Sequence, residues 1–208
     1  MDQKTIATLK ILIQGDHTEN YWIIRGKGYR DEFKHHDPVR KLRYWNQERQ
    51  VRNYLKGLPG HVDSVLEVGC GFGRMTMVLR QVFPGAHIDA IDISPDMIDQ
   101  ARATVPSVNF QVKSLFDLDS EKYDLVFVSE VLLHIPPDRI DPALDILRSK
   151  AKNYFVHLDW YAPDEPSEAG GFCWQHAYPG TRTAIEDLPF IWRLESGKAK
   201  AAIWCEAK

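Results

Sequence analysis

The chain has 208 residues, 44% of them hydrophobic, which is enough to bury one well-packed domain with a modest appendage. A net charge of -3 argues against general attraction to nucleic acid, and no apolar run approaches membrane-spanning length. Met1 to Lys10 lacks the basic-then-apolar layout of a secretory signal. Cys70, Cys173 and Cys205 are an odd, widely spaced set that suits neither a disulfide framework nor a metal motif, so a soluble cytoplasmic protein with free thiols and no metal is expected.

Residues 1–36 carry no clear period. The stretch 6–13 suits a short strand or the start of a helix, and 21–29 is aromatic and basic with two glycines. From Arg25 to Lys56 ten basic residues face four acidic ones, a local surplus that reads first as a solvated helix face and second as an attractor of anionic substrates. Residues 38–58 repeat apolar positions (Val39, Leu42, Trp45, Val51, Tyr54, Leu55, Leu58) mostly at helical spacing, with Asp37-Pro38 as cap and first turn. From residue 63 the pattern changes to short apolar strands alternating with helical segments, which argues for βαβ units and a parallel sheet. Strands are expected near 63–68, 86–92, 108–112, 123–129 and 152–158, and helices near 72–83, 95–104 and 138–149. Ser94-Pro95 caps the second of these helices, and Asp138 or Asp141-Pro142 opens the third. The tail changes again: residues 190–194 and 201–205 flank Glu195-Ser196-Gly197-Lys198 and read as an antiparallel hairpin.

The most informative stretch is Val65-Leu66-Glu67-Val68-Gly69-Cys70-Gly71-Phe72-Gly73-Arg74, an apolar strand that ends at an acid and breaks into alternating glycines. Such a turn lets a ligand approach the main chain, and the following helix aims unpaired N–H groups at it. An acid beside those N–H groups favours a ligand with ammonium or hydroxyl groups over a bare polyphosphate. Nicotinamide binding calls for Gly-x-Gly-x-x-Gly, whereas here the third glycine comes one residue early and Arg74 stands in its place. Asp92, nineteen residues beyond Gly73, ends the second strand and can accept from both hydroxyls of a ribose.

Over residues 37–208 these motifs resemble the class I S-adenosylmethionine-dependent methyltransferases. The resemblance rests on Glu67-x-Gly69-x-Gly71-x-Gly73, on Asp92 with Ser94-Pro95-x-Met97, and on the block Tyr123–Pro136. It implies a three-layer Rossmann-like methyltransferase fold, α/β, whose seven-stranded, mostly parallel sheet ends in a C-terminal antiparallel hairpin. One domain over 1–208 is expected, with a helical arm or lid at 1–58 and the core at 59–208. The implied cofactor is S-adenosylmethionine, with S-adenosylhomocysteine as product. Its contacts are carried over to Glu67, Gly69, Cys70, Gly71, Gly73, Arg74, Asp92, Ile93, Met97, Ser114, Leu115, Ser129 and Glu130. Many relatives carry an acid where Ser114 falls, so its side chain either accepts one hydrogen bond from the adenine or is solvated.

Strand ends in an open α/β sheet face the ligand, which places Ser129, Glu130 and His134 toward the reacting methyl. His134, with Glu130 beside it, is the candidate general base, the alternative being a histidine that packs its loop. Tyr21, Trp22, Arg25 and Tyr29 are candidates for a lid, and Arg25 or Arg74 for pairing with the donor's carboxylate. A breaker-rich segment after the fifth strand leaves little room for a long helix. Its Asp159, Trp160, Tyr161, Trp174 and His176 either wall the acceptor cleft or cover the sheet flank. The implied reaction moves a methyl group to an O, N or C atom of a small molecule by in-line displacement. A catalytically inert binding partner with this fold is the rival. A nucleic-acid methyltransferase is disfavoured because Ser129-Glu130 replaces the Asn/Asp-Pro-Pro-aromatic run. The expected partner is a small molecule, with neither nucleic acid nor membrane, and the chain a monomer or homodimer.

Overall fold

The computed structural model describes residues 17–161, 167–168, 173–184 and 200–208. In chain order the elements are α1 (His17–Lys34), α2 (Pro38–Lys56), β1 (Ser64–Val68), α3 (Arg74–Val82), β2 (His87–Asp92), α4 (Pro95–Thr104), β3 (Asn109–Val112), β4 (Tyr123–Ser129), α5 (Ile140–Lys150) and β5 (Ala151–Tyr161). They continue with β6 (Ser167–Glu168), β7 (Trp174–Gln175), β8 (Thr181–Ala184) and β9 (Lys200–Ala207). Seven strands form one sheet in the order β3-β2-β1-β4-β5-β9-β8, and β6 pairs with β7 apart from it. The first five strands in that order run parallel, and β9 lies antiparallel to both neighbours.

Side chains alternate across a strand, so near-continuous apolar runs mean that both faces are covered. Val65, Ile88, Ala90, Leu125, Phe127, Val156 and Ile203 pack with Val51 and Leu55 of α2, Met75 and Leu79 of α3 and Ile98 of α4. Leu66, Val68, Ile91, Val126, Val128, Phe155 and Ala202 pack with Ile140, Leu144 and Leu147 of α5. The result is the three-layer arrangement expected from the sequence. Strand order reverses between β2-β1 and β4, so the carboxyl ends of these strands open on one crevice.

Most boundaries fall within two residues of expectation, and the departures have local causes. Helix α3 starts at Arg74 because Gly73 holds φ +89, a left-handed angle that a helix cannot continue through. Asp37 caps α2 by accepting from the N–H groups of Val39 and Arg40. The capping residue of α5 is Arg139, and Asp141 lies in the first turn rather than at the cap. The first arm of the expected hairpin, 190–194, lies outside the described residues, as does 6–13. The described outer neighbour of β9 is β8, where Thr181 pairs with Cys205 and Thr183 with Ile203. Among the described residues no helix lies between β5 and β8, and no helix is long and apolar enough to cross a membrane.

The aromatic-basic stretch around 21–29 is helical. Its Gly26 lets α1 settle on the start of α4: a Cβ there would stand 2.1 Å from Ser94 Oγ and 3.2 Å from Met97 Cγ. Gln100 Nε2 adds a hydrogen bond to the Gly26 carbonyl, 3.2 Å. Gly26→Ala is expected to weaken this docking by about 1–3 kcal/mol, the usual cost of forcing a methyl group into a packed contact. Amide exchange over residues 17–34 should rise while the strands keep their protection; unchanged exchange there would show that the contact yields without cost.

Candidate functional site

The turn after β1 is fastened to the end of β2. The Gly69 and Cys70 N–H groups donate to the Ile91 carbonyl at 2.8 and 3.0 Å. The Gly71 N–H donates to Asp92 Oδ2 at 2.9 Å, and the Ser94 N–H to Asp92 Oδ1 at 2.9 Å. Gly71 holds φ +54, with no atom within 4 Å of where its Cβ would be. A side chain there would occupy the floor of the cavity that opens above the turn. Burial raises the Asp92 carboxyl, and the N–H groups of Ser94, Gly71 and Ile93 oppose the rise.

Glu67 lies one residue inside the strand end and is buried. Thr76 Oγ1, from the first turn of α3, donates to its Oε2 at 2.5 Å. Burial pushes the Glu67 carboxyl up to about 8, although the Thr76 hydrogen bond and the Arg74 charge pull it down. At neutral pH this group therefore carries a proton in the ligand-free protein.

Glu130 follows β4 with φ 55, the one described non-glycine residue with positive φ, a costly angle often found at functional sites. Its N–H is anchored on the Leu158 carbonyl, 2.8 Å. Its carboxylate accepts from Arg74 Nη2 at 3.2 Å and from Gln47 Nε2 of α2 at 3.3 Å. Arg74 Nη1 in turn reaches Gln47 Oε1 at 2.9 Å, and its guanidinium lies 5.0 Å from the Tyr44 ring centroid. Burial, helped by the Glu130 charge, pushes the neighbouring Tyr29 phenol up to about 12. His134 sits in the short 3-10 turn Leu132–His134, its ring 4.7 Å from that of Trp22, with Cys173 Sγ 3.6 Å from its Nδ1.

A single cavity collects most of the residues singled out in the sequence. Glu67, Gly69, Cys70, Gly71, Arg74, Asp92, Ile93, Met97, Ser114, Leu115, Ser129, Glu130 and His134 line it, as do Trp22 and Tyr29. Gly73, Tyr21 and Arg25 do not. Arg25 pairs with Glu32 at 2.9 Å and with the Tyr21 hydroxyl, amid the rings of Tyr21, Trp22 and Tyr29.

Asp159, Trp160, Trp174 and His176 also lie away from the cavity wall, and the Tyr161 side chain is outside the described residues. Asp159 is fully buried, is raised well above the usual carboxylate range by burial, and accepts from the Leu133 N–H at 3.2 Å, beneath the turn that carries His134. His157, 3.4 Å from it, is lowered by burial to about 3, so the two are neutral neighbours and not an ion pair. His176 reaches the Ile135 carbonyl, 3.0 Å, and Tyr178 packs on Trp204 of β9. Among the described residues no group of three possible metal ligands occurs.

Several lining residues were not singled out as such. Thr18, Glu19, Phe33 and Tyr44 come from α1 and α2, Lys113 and Phe116 from beyond β3, and Arg139 from the start of α5. Phe33 and Tyr44 could have been suspected from the aromatic character of the arm. Glu19 gives no signal in sequence, since it meets Ser114 across 95 positions, 2.9 Å away.

Residues 65–153 match the family model described as a methyltransferase domain. The chain is 38% identical over 77 residues to trans-aconitate 2-methyltransferase of Escherichia coli O157:H7, covering 36% of this chain and 31% of that protein. It is 40% identical over 68 residues to malonyl-[acyl-carrier protein] O-methyltransferase 1 of Ilyobacter polytropus, covering 31% and 25%. The chain thus matches under a third of the length of these curated relatives. Among solved structures, magnesium protoporphyrin IX methyltransferase of Synechocystis PCC 6803 with bound S-adenosylmethionine superposes with a TM-score of 0.62 at 20% identity, covering 100% of this chain and 98% of that one. Its complex with S-adenosylhomocysteine gives the same score. By its sheet order the chain shares the fold of these methyltransferase structures, and its residues 65–153 match a methyltransferase domain.

Proposed function

We propose that this protein transfers the methyl group of S-adenosylmethionine to an oxygen, nitrogen or carbon atom of a small molecule. The observation that carries this reading is the convergence of Asp92, Glu67 and the open Gly71 turn on one cavity. Gly71 and Ser94 donate one N–H to each Asp92 oxygen, and the carboxylate keeps acceptor capacity beyond these backbone bonds. That capacity suits the hydroxyls of a ribose. Glu67 lies where the strand ends, suited to the donor's ammonium group. Ile93, Met97, Leu115 and Phe116 offer an apolar slot for the base. Arg74 can pair with the donor's carboxylate by exchanging it for Glu130.

When bound, the donor supplies a methyl group on a sulfonium, already a potent leaving group. What remains for the protein is to hold the acceptor in line and to keep water out. Trp22, Tyr29, Phe33 and Tyr44 supply an aromatic wall for that purpose, with His134 at its edge. Acids are the first acceptors to try, because the relatives are named for trans-aconitate and for malonyl-[acyl-carrier protein]. A carboxylate acceptor is ionised at neutral pH and needs no base, whereas a hydroxyl or amine does.

Three measurements test this reading. In calorimetry S-adenosylhomocysteine should bind, and labelled S-adenosylmethionine should pass its methyl group to a metabolite acceptor; no binding would end the proposal. His134→Ala should lower turnover roughly 100-fold on a hydroxyl or amine acceptor, with affinity for S-adenosylhomocysteine kept. Unchanged turnover on such an acceptor would make His134 a packing residue of the aromatic wall.

The third concerns Glu67, whose carboxyl titrates near 4.5 when unfolded and near 8 when folded. Between those values the native state holds a proton that the unfolded state has lost, so this group's contribution to stability declines as pH rises across the window. Urea midpoints measured from pH 5 to 8 should therefore fall less steeply in Glu67→Gln than in the parent. Equal slopes would show that Glu67 is ionised throughout. An ammonium group beside Glu67 favours the ionised form, so affinity for S-adenosylhomocysteine should tighten toward pH 8 in the parent and not in Glu67→Gln.

A further inference from the structure

Four carboxylates line the cavity, and three of them have an evident occupation. Asp92 is held by the glycine turn, Glu67 by Thr76, and Glu130 by Arg74 and Gln47. The fourth, Glu19, comes from α1. Ser114 Oγ donates to Glu19 Oε1 at 2.9 Å, and the Phe116 N–H donates to the same hydroxyl oxygen at 3.3 Å, which fixes the serine's orientation. The pair lines the same cavity as Asp92, Met97, Leu115 and Phe116, and Ser114 directly precedes Leu115 and Phe116 of the apolar slot.

A nucleoside whose ribose is held by Asp92 and whose base enters that slot presents its far edge to Ser114 and Glu19. In adenine that edge carries an exocyclic amino group, which can only donate usefully there. Ser114 spends its single proton on Glu19, whereas the carboxylate keeps further lone pairs for an incoming N–H. Charge makes it the stronger acceptor of the two.

We propose that Glu19, oriented by Ser114, accepts a hydrogen bond from the adenine amino group of the methyl donor, so that helix α1 reads the base. The inference rests on the donor reading given above. It also gives α1 a thermodynamic role. The helix is seated on α4 through Gly26 and Met97, and Met97 also lines the base slot. An adenine-bearing ligand touches both the helix's seat and its carboxylate, so binding and docking of α1 favour each other to the same extent.

The test compares S-adenosylhomocysteine with S-inosylhomocysteine, in which a carbonyl replaces the amino group, by calorimetry on the full chain. The parent should prefer the adenine ligand by roughly ten- to a hundredfold, the usual worth of a hydrogen bond to a charged group. Glu19→Gln should lose most of that preference: the adenine ligand weakens, while the inosine ligand is unchanged or tightened because the glutamine amide can donate to the carbonyl. A preference retained in Glu19→Gln, or an equal weakening of both ligands, would overturn the inference and leave Glu19 as a fastening for α1. In the parent itself, the adenine ligand should slow amide exchange over residues 17–34 more than the inosine ligand does at matched saturation; equal slowing would overturn the coupling. A parent that binds neither ligand overturns the donor reading as well, whereas one that binds both alike overturns only the role of Glu19.

Discussion

The site depends on one set of hydrogen bonds, those that hang the exit of β1 on the exit of β2. Because β1 and β2 pair parallel with Val68 opposite Ile91, the two chains leave the sheet side by side. The Ile91 carbonyl accepts from two successive N–H groups of the turn, and the Asp92 side chain takes the third. A backbone that would otherwise wander is thus held over the sheet edge by groups whose positions the register already fixes. Glu67 is buried as a consequence: it lies on the face covered by α3, and Thr76 is brought to it by the helix that the same turn launches. The unfavourable burial of one carboxyl and the favourable fixing of another follow from the same few bonds.

The opposite wall is held differently. Glu130 occupies a strained backbone angle, and its N–H on Leu158 ties that strain to the pairing of β4 with β5. Arg74, Gln47 and Glu130 satisfy one another across α3, α2 and the end of β4. Such a network presents a nearly neutral surface while it is closed and a charged one when any member is drawn away. Beneath it, neutral Asp159 holds the Leu133 N–H, so the turn bearing His134 rests on a buried acid instead of on loop contacts alone. Its role there is to support the turn.

Much of the half built on β1 and β2 was legible because its physics is local. The strands announce themselves as apolar runs and Asp37-Pro38 starts a helix, whereas the pattern places the start of α3 two residues early because only the left-handed angle at Gly73 fixes it. The spacing of Glu67, the glycines and Asp92 follows from the geometry of a single βαβ unit. Helix α1 is expected only as part of a helical arm over 1–58, without bounds of its own, since glycines at 26 and 28 oppose helix formation and its residues sit at a rim instead of turning one apolar face to a core. Gly26 makes sense only with Ser94 and Met97 in place. The same holds for the tail aromatics. Either a cleft wall or a flank cover would need those residue types, and contacts such as that of Tyr178 with Trp204 join residues far apart in sequence.

The two halves of the cavity therefore differ in how far a likeness to other proteins informs them. The matched segment, residues 65–153, contains the glycine turn, Asp92, Ser114, Glu130 and His134. Trp22, Tyr29, Phe33 and Tyr44 lie before it, on helices that reach the cavity only by tertiary packing. The placement of these rings depends on how α1 docks, so this part of the cavity wall is set by contacts outside the matched segment. In this chain the arm is also joined to the donor side, through Gly26 on α4 and Glu19 on Ser114. Any change that loosens α1 will therefore disturb the aromatic wall and the Ser114–Phe116 side of the cavity together.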